Sequence, residues 1–403
     1  MKQIEGGVCA AKGFQAAGVY CGIRKNKSKK DLALIVSEVK AACACVYTQN
    51  LVQGAPIVVT KANVQDGYAS AIICNSGNAN TCNANGVEIA TQMCDLLGAA
   101  LKIPASDVVV ASTGVIGKTL DIEPIASGIV PLVAALGDDS NAAAEAIMTT
   151  DVHKKEIAFA FTLGDKTCHI GGICKGSGMI QPNMATMLGF VTTDAAISPA
   201  MLQKALSADI LDSFNMVSVD GDTSTNDMVT VLANGMAGNT MITEQGADYD
   251  AFCAALSAVN QYLSRSIAAD GEGATKLIIC HLTGAIDKPS AIKLSKSVIN
   301  SPLVKCAMFG ADANWGRVLC ALGYAGVATD VNKVSVTFTS QSGSVNVCQN
   351  GMGVDFSEEL AKKVLSESEI TIEITLGDGT AEATAYGCDL TYDYVKINGD
   401  YRT

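Results

Sequence analysis

Histidine is scarce in this chain: His153, His169 and His281 are the only three among 403 residues. None stands at ligand spacing from another histidine or a cysteine, apart from the neighbours Cys168 and His169, so a zinc site or a histidine-based catalytic triad is poorly supplied. Basic charge is also short, with 28 Lys and Arg against 40 Asp and Glu and a net charge of −12. Such a chain does not favour nucleic acid or an anionic membrane as a partner.

Long apolar runs are missing as well. No segment approaches the ~18 uninterrupted apolar residues of a membrane-spanning helix. The most apolar one, residues 122–136, is interrupted by Glu123, Pro124 and Pro131. Residues 1–7 show no basic stretch followed by an apolar core, which would mark a secretory signal. We therefore expect a soluble, cytoplasmic protein without a membrane partner.

Fifteen cysteines are present, an odd number, and none forms a CxxC pair. Most stand in apolar surroundings, as Cys74 does after Ile72 and Ile73, where a free thiol packs like a small apolar side chain. This usage favours a reducing compartment without a disulfide framework. Cys43 and Cys45 would share one face of a strand, but no second pair completes a metal site, so no metal is expected.

Helical and strand patterns alternate along the chain. Apolar residues at helical spacing predict helices over 87–101, 121–136, 141–148, 199–214, 249–268 and 289–299. Alternating residues predict a hairpin of 156–163 with 166–174, and a second hairpin that starts with 370–376 and turns at 377–379. Because strands with one polar face usually pair antiparallel, we expect an α+β layered fold with largely antiparallel sheets, not a doubly wound parallel sheet.

The most unusual segment is KGSGMIQPNMATML, from Lys175 to Leu188. Its glycines and Pro182 constrain a loop that ends in Ala185 and Thr186, ahead of a predicted strand. A threonine in that position suits an N-terminal nucleophile, whose hydroxyl attacks its own preceding carbonyl. The freed α-amine titrates near ~8 and then serves as the base, so no histidine is needed. The alternative is an ordinary turn that ends in a β-branched residue.

Two further segments suit chemistry at a carbonyl. Residues 110–117 place Thr113 and Gly114 in a turn after a strand, where backbone N–H groups can stabilise an oxyanion; a plain strand–turn–helix junction is the alternative. Glu272 lies between two glycines after a predicted helix. It suits an ammonium ligand or proton transfer, and a solvated helix end is the alternative.

Two polar loops are less specific. The asparagine-rich residues 75–86 favour either a polar pocket wall or a cluster of surface turns. Residues 220–227 have the composition of a cation loop, but Asp227 stands where an EF-hand has glutamate, and no EF-hand helices flank the loop.

In their order, these segments resemble the ornithine acetyltransferase family of arginine biosynthesis, whose members are glutamate N-acetyltransferases and often bifunctional. The similarity covers essentially the whole chain, and 175–188 carries its most specific match. The other matching segments are 75–80, 112–117, 147–151, 220–227, 270–276, 312–317 and 398–403.

The resemblance implies a precursor that cleaves itself between Ala185 and Thr186. The products are an α chain, 1–185, and a β chain, 186–403, which stay associated, with α2β2 as the expected assembly. Thr186 becomes the acetyl-carrying nucleophile, and Thr113 and Gly114 form the oxyanion hole. The residues implied to line the substrate pocket are Thr149 (or Thr150, if the register differs by one), Lys175, Thr186, Glu272, Asn398 and Thr403.

The resemblance also implies a fold shared with N-terminal-nucleophile aminopeptidases and an enzyme without a cofactor. Its substrates would be N2-acetylornithine and glutamate, with acetyl-CoA as a further candidate donor, and its kinetics would be ping-pong. One rival is an aminopeptidase or amidohydrolase that passes the acyl group to water. Another is a non-catalytic binding protein that has kept the fold.

Overall fold

The computed structural model describes residues 1–181 and 187–401. The chain divides into two compact units. The first comprises Met1–Gly176, Pro182–Asn215 and Thr223–Leu263, and the second comprises Ser177–Gln181, Met216–Asp222 and Ser264–Thr403.

The first unit contains a nine-stranded mixed sheet with the strand order β1-β6-β7-β8-β9-β3-β4-β5, and β2 also pairs with β3. The pairs β4–β5 and β8–β9 are parallel, and the others are antiparallel. The strands are β1 Lys2–Ile4, β2 Phe14–Val19, β3 Leu32–Tyr47, β4 Tyr68–Asn78, β5 Val108–Val115, β6 Lys155–Leu163, β7 Lys166–Lys175, β8 Leu188–Thr193 and β9 Met228–Ala233.

Helices cover both faces of this sheet, because neighbouring residues of one strand point to opposite sides. Ile72 of β4 belongs to a buried cluster that includes Ala143 and Ile147, whereas Ile73 packs in a second cluster with Met93. The helices are α1 Ala55–Asn63, α2 Gly86–Leu101, α3 Glu123–Ala134, α4 Asn141–Ile147 and α5 Pro199–Asp209, and α6 Ala247–Ala269 ends in the second unit.

The second unit has a six-stranded sheet with the order β13-β12-β11-β14-β10-β15, in which β10–β14 is the parallel pair. Its strands are β10 Leu277–Ala285, β11 Ser335–Ser340, β12 Gly343–Gln349, β13 Met352–Gly353, β14 Glu369–Thr375 and β15 Ala381–Cys388. Its helices are α7 Lys288–Asn300, α8 Pro302–Phe309, α9 Trp315–Gly323, α10 Glu358–Leu365 and α11 Tyr392–Asp400. Both units are thus layered, and the predicted α+β class with largely antiparallel sheets is confirmed.

Local sequence signals set the ends of several helices. Ser198 caps α5 by accepting a hydrogen bond from the Met201 N–H, and Pro199 occupies the first turn, where its missing N–H costs nothing. Asp287 caps α7 in the same way through the Ser290 N–H. These caps explain why both helices begin where the sequence pattern predicts them.

One predicted strand pairing is wrong. The hairpin of β6 with β7 is confirmed by the pairing of Leu163 with Lys166, but β14 does not pair with β15. Strand β10 lies between them, parallel to β14 and antiparallel to β15. Strand alternation marks β14 correctly but carries no information on its partner. Across the part of the chain that the structure describes, no helix combines the length and the apolarity needed to cross a membrane.

Candidate active site

Gly114 lies at the end of β5 in a conformation that excludes other residues. Its φ is +132°, and a Cβ atom there would approach the Gly77 carbonyl carbon to 2.3 Å. Thr113, directly before it, is 9% exposed. Thr113 and Gly114 are therefore tightly packed against the end of β4. They lie inside β5, which runs to Val115, and pair with Ser76 and Gly77, so the prediction of a turn after the strand is wrong.

A buried amide network holds the backbone of β5 before Thr113. Asn75 accepts a hydrogen bond from Ser112 Oγ over 2.6 Å and donates to the Asn78 carbonyl over 2.9 Å. Asn226 Nδ2 donates to the Ser112 carbonyl over 3.0 Å, and Thr81 Oγ1 donates to Asn226 Oδ1 over 2.5 Å. Asn75 and Thr81 are at most 1% exposed. The alternative of surface turns is therefore wrong for these residues. Their hydrogen bonds hold Ser112, the residue directly before the oxyanion-hole candidates Thr113 and Gly114.

Asp151 organises the turn that contains Thr149. Its carboxylate accepts the Thr149 N–H over 2.9 Å, the Gly176 N–H over 2.7 Å and the Lys155 ammonium over 2.7 Å. Burial acts to raise the pKa of Asp151, but the charges of Lys155 and Lys175 and these hydrogen bonds hold it well below its usual range. Asp151 is therefore ionised. Thr149 and Thr150 are both half-buried, so the choice between them stays a prediction.

Lys175 is the last residue of β7, opposite Leu188 in the sheet. It is 7% exposed. No hydrogen bond of its ammonium to any residue of 1–181 or 187–401 is found. Lysine is seldom buried to this degree without a partner. This cation is therefore available to an anionic group.

Asp227, directly before β9, is a buried acid that sequence reasoning treated only as part of a loop. It is 2% exposed, and its Oδ2 has no hydrogen-bond partner among the described residues. Burial raises its pKa well above the usual range, against the lowering effects of Ser224 and Lys175. Burial of this kind favours the protonated, uncharged form of a carboxyl group. The available signal was its position directly before a strand that is apolar except for Thr230.

In the second unit, Glu272 and Asn398 are in direct contact. Asn398 Nδ2 donates to Glu272 Oε2 over 2.7 Å, and the Glu272 N–H donates to the Ser177 carbonyl over 2.9 Å. Glu272 is 7% exposed, so the alternative of a solvated helix end is wrong. A Cβ atom on Gly178 would lie 2.3 Å from the Glu272 carboxyl carbon. The glycine therefore makes room for the carboxylate.

Asp220 orders the turn beside Glu272. Its carboxylate accepts the N–H groups of Met179 over 2.7 Å and Ile180 over 2.8 Å, and the Tyr394 hydroxyl over 3.2 Å. Burial and the charge of Asp220 raise the pKa of Tyr394, so the phenol stays protonated and donates. The acidic composition of 220–227 suggested a cation loop, but the Asp220 carboxylate accepts hydrogen bonds from backbone N–H groups.

The structure thus brings together two sets of the predicted residues. Asp151 connects Thr149 with the end of the Lys175 strand in the first unit, and Glu272 meets Asn398 in the second. Ala185, Thr186 and Thr403 lie outside the described residues, so their predicted roles stay predictions.

The model of the ArgJ family matches residues 15–403. The arginine biosynthesis bifunctional protein ArgJ of Symbiobacterium thermophilum is 50% identical over the full length of both chains, and that of Bacillus subtilis is 46% identical over 100% of this chain and 98% of its own.

Among solved structures, the arginine biosynthesis bifunctional protein argJ of Bacillus halodurans is 44% identical with a TM-score of 0.50. That match covers 53% of this chain and 99% of the solved one. The protein described here is an enzyme, an acyltransferase. It belongs to the ArgJ family, as the sequence resemblance predicted.

Proposed function

We propose that the chain is a glutamate N-acetyltransferase of arginine biosynthesis. It moves acetyl from N2-acetylornithine to glutamate through an acetyl ester on Thr186. The observation that carries the proposal is Lys175, a residue that is 7% exposed and whose ammonium makes no hydrogen bond to a described residue. Both substrates present an α-carboxylate, for which a lysine charge is a suitable ligand. Relatives named as bifunctional proteins of arginine biosynthesis support the assignment to that pathway. We propose acetyl-CoA as a second donor.

Maturation precedes this reaction in our proposal. The Thr186 hydroxyl attacks the Ala185 carbonyl, its proton passes to the departing amide nitrogen, and an ester replaces the peptide bond. Water then hydrolyses the ester, which leaves chains 1–185 and 186–403 and a free Thr186 amine. The Bacillus halodurans match supports this scheme, because 53% of the present chain accounts for 99% of that solved chain.

Acetyl transfer then uses the liberated amine as base. Thr186 Oγ attacks the acetyl carbonyl of N2-acetylornithine, and the Thr186 amine takes the hydroxyl proton and returns it to the departing ornithine nitrogen. Donors at Thr113 and Gly114 stabilise the oxyanion. Glutamate's amine attacks the acetyl ester by the reverse sequence, and N-acetylglutamate leaves.

Glu272 has a role that differs between the two substrates. Its buried carboxylate is bonded by the neutral amide of Asn398, so its negative charge remains to bind the side-chain ammonium of ornithine. Glutamate has no such ammonium.

We further propose Thr149, Asn398 and Thr403 as substrate contacts, and an α2β2 assembly of the two chains. We also propose a cytoplasmic setting, which is supported by the free state of all fifteen cysteines.

Labelled N2-acetylornithine, with and without glutamate, tests the proposal. We expect label in N-acetylglutamate, parallel double-reciprocal plots, and one added acetyl group on the 186–403 fragment when glutamate is omitted. Release of free acetate at the same rate with or without glutamate would instead identify the hydrolase rival.

A further inference from the structure

A buried ion pair lies next to two of the proposed substrate-binding residues of the first unit. Lys155 Nζ donates to Asp151 Oδ1 over 2.7 Å, and the two side chains are 2% and 0% exposed. Ion pairs of this kind contribute little net stability, because both charges lose their water. The location of the pair is therefore more informative than its strength.

The Asp151 carboxylate connects the Thr149 turn to the end of β7. Oδ2 accepts the Thr149 N–H over 2.9 Å, and Oδ1 accepts the Gly176 N–H over 2.7 Å. Gly176 directly follows Lys175. One rigid carboxylate thus fixes the backbone on either side of the proposed carboxylate-binding position.

Lys155 supplies the cation that this carboxylate requires. It is the first residue of β6, opposite Cys174 in the sheet. Its ammonium also donates to the His153 carbonyl over 3.2 Å, which fixes its direction. Lys175 is the other cation whose charge acts on Asp151. Without Lys155, Asp151 would draw on Lys175 for its neutralisation.

We infer that Asp151 and Lys155 are positioning residues for substrate binding, an inference that rests on the proposed function. Asp151 sets the spacing between Thr149 and Lys175. Lys155 neutralises Asp151, so that the Lys175 ammonium stays free for the substrate α-carboxylate. Neither residue touches the substrate.

Variants that remove one or both charges of the pair separate this role from simple structural support. The readout is the ratio of kcat/KM for N2-acetylornithine to kcat/KM for its analogue without the α-carboxylate. In K155M, Asp151 keeps its charge and captures Lys175, so we expect this ratio to fall roughly tenfold or more. In the double variant D151N/K155M the capturing charge is gone, so the ratio should recover a large part of this loss. Recovery stays incomplete, because the amide offers one acceptor oxygen to the Thr149 and Gly176 N–H groups where the carboxylate offered two.

Two further variants complete the design. Lys154→Met removes the neighbouring lysine, which pairs with Glu156 in solvent, and should leave the ratio unchanged. K155Q keeps an N–H donor at the buried position and replaces K155M if that variant does not fold, with the same expected loss.

The inference is overturned if the single variant keeps the wild-type ratio, or if the double variant is as poor as the single one, as loss of structural support alone would give. Failure of the proposed function looks different, since wild type itself would then transfer no acetyl group from N2-acetylornithine to glutamate.

Discussion

The side-chain amide of Asn398 donates a hydrogen bond to the buried Glu272 carboxylate over 2.7 Å. The two residues are separated by 126 positions in the sequence, and the contact joins the end of α6 to α11. A neutral donor on a carboxylate leaves its charge available to a cationic ligand.

Glu272→Gln should therefore affect one substrate selectively. The variant keeps the shape and an acceptor for Asn398 but loses the charge that binds ornithine's side-chain ammonium. We expect KM for N2-acetylornithine to rise roughly tenfold to a hundredfold, because hydrogen bonds to charged groups are worth ~1.5–3 kcal/mol. KM for glutamate should change by less than about threefold.

Steady-state kinetics with each substrate varied in turn measures this split. The exposed Glu359→Gln on α10 is the matched control. Equal changes in both Michaelis constants, or no change in either, would remove Glu272 from ornithine recognition.

Gly114→Ala should damage catalysis through geometry alone. The added Cβ would meet the Gly77 carbonyl carbon at 2.3 Å, at a φ of +132°, so the end of β5 must move. Loss of one oxyanion donor typically costs on the order of a hundredfold in kcat. Gly117→Ala is the control, because its φ of +75° is also positive but nothing lies within 4 Å of the added atom.

The two glycine variants are compared by kcat and by thermal unfolding. We expect both to lose some stability, of roughly 1 kcal/mol for Gly117→Ala, while only Gly114→Ala loses most of its turnover. Wild-type kcat in Gly114→Ala would exclude Gly114 from the oxyanion hole.

Asp227 predicts a pH dependence of stability. Burial raises its pKa in the folded state above the unfolded value of ~3.9. As pH rises between these two values, the unfolded chain loses a proton that the folded chain retains, so Asp227 lowers stability with rising pH. The amide in the variant does not titrate, so the free energy of unfolding of Asp227→Asn, relative to that of wild type, should increase as pH rises from acid to neutral.

Denaturant unfolding at several pH values measures this difference. Both proteins carry Thr186→Ala, so that each is expected to stay one chain and unfold as one. Asp287→Asn serves as a control of opposite sign, because hydrogen bonds from Ser290 lower the pKa of Asp287. A constant difference between wild type and Asp227→Asn across the range would mean that folding does not shift the pKa of Asp227.

Local features of the fold were predictable because they depend on neighbouring residues. The β6–β7 hairpin follows from alternation around Gly164, and the start of α5 follows from Ser198 and Pro199. The pairing of β14 with β10 instead of β15 was not predictable. Nothing in a strand's own pattern identifies a partner from a distant segment.

The same distinction holds for the candidate site. Thr113 with Gly114, Lys175 and Glu272 were found from glycine spacing and from the family resemblance. Burial of Asn75 and the link from Asp151 to Gly176 depend on segments that meet only in the folded chain, so the sequence left them open.

The account depends most on scission before Thr186, which intact-mass spectrometry of purified, active protein under denaturing conditions tests directly. We predict two species, residues 1–185 and residues 186–403 with threonine as the first residue, and one uncleaved, inactive chain for Thr186→Ala. A fully active wild-type protein with a single intact mass, or undiminished acetyl transfer by Thr186→Ala, would contradict the account.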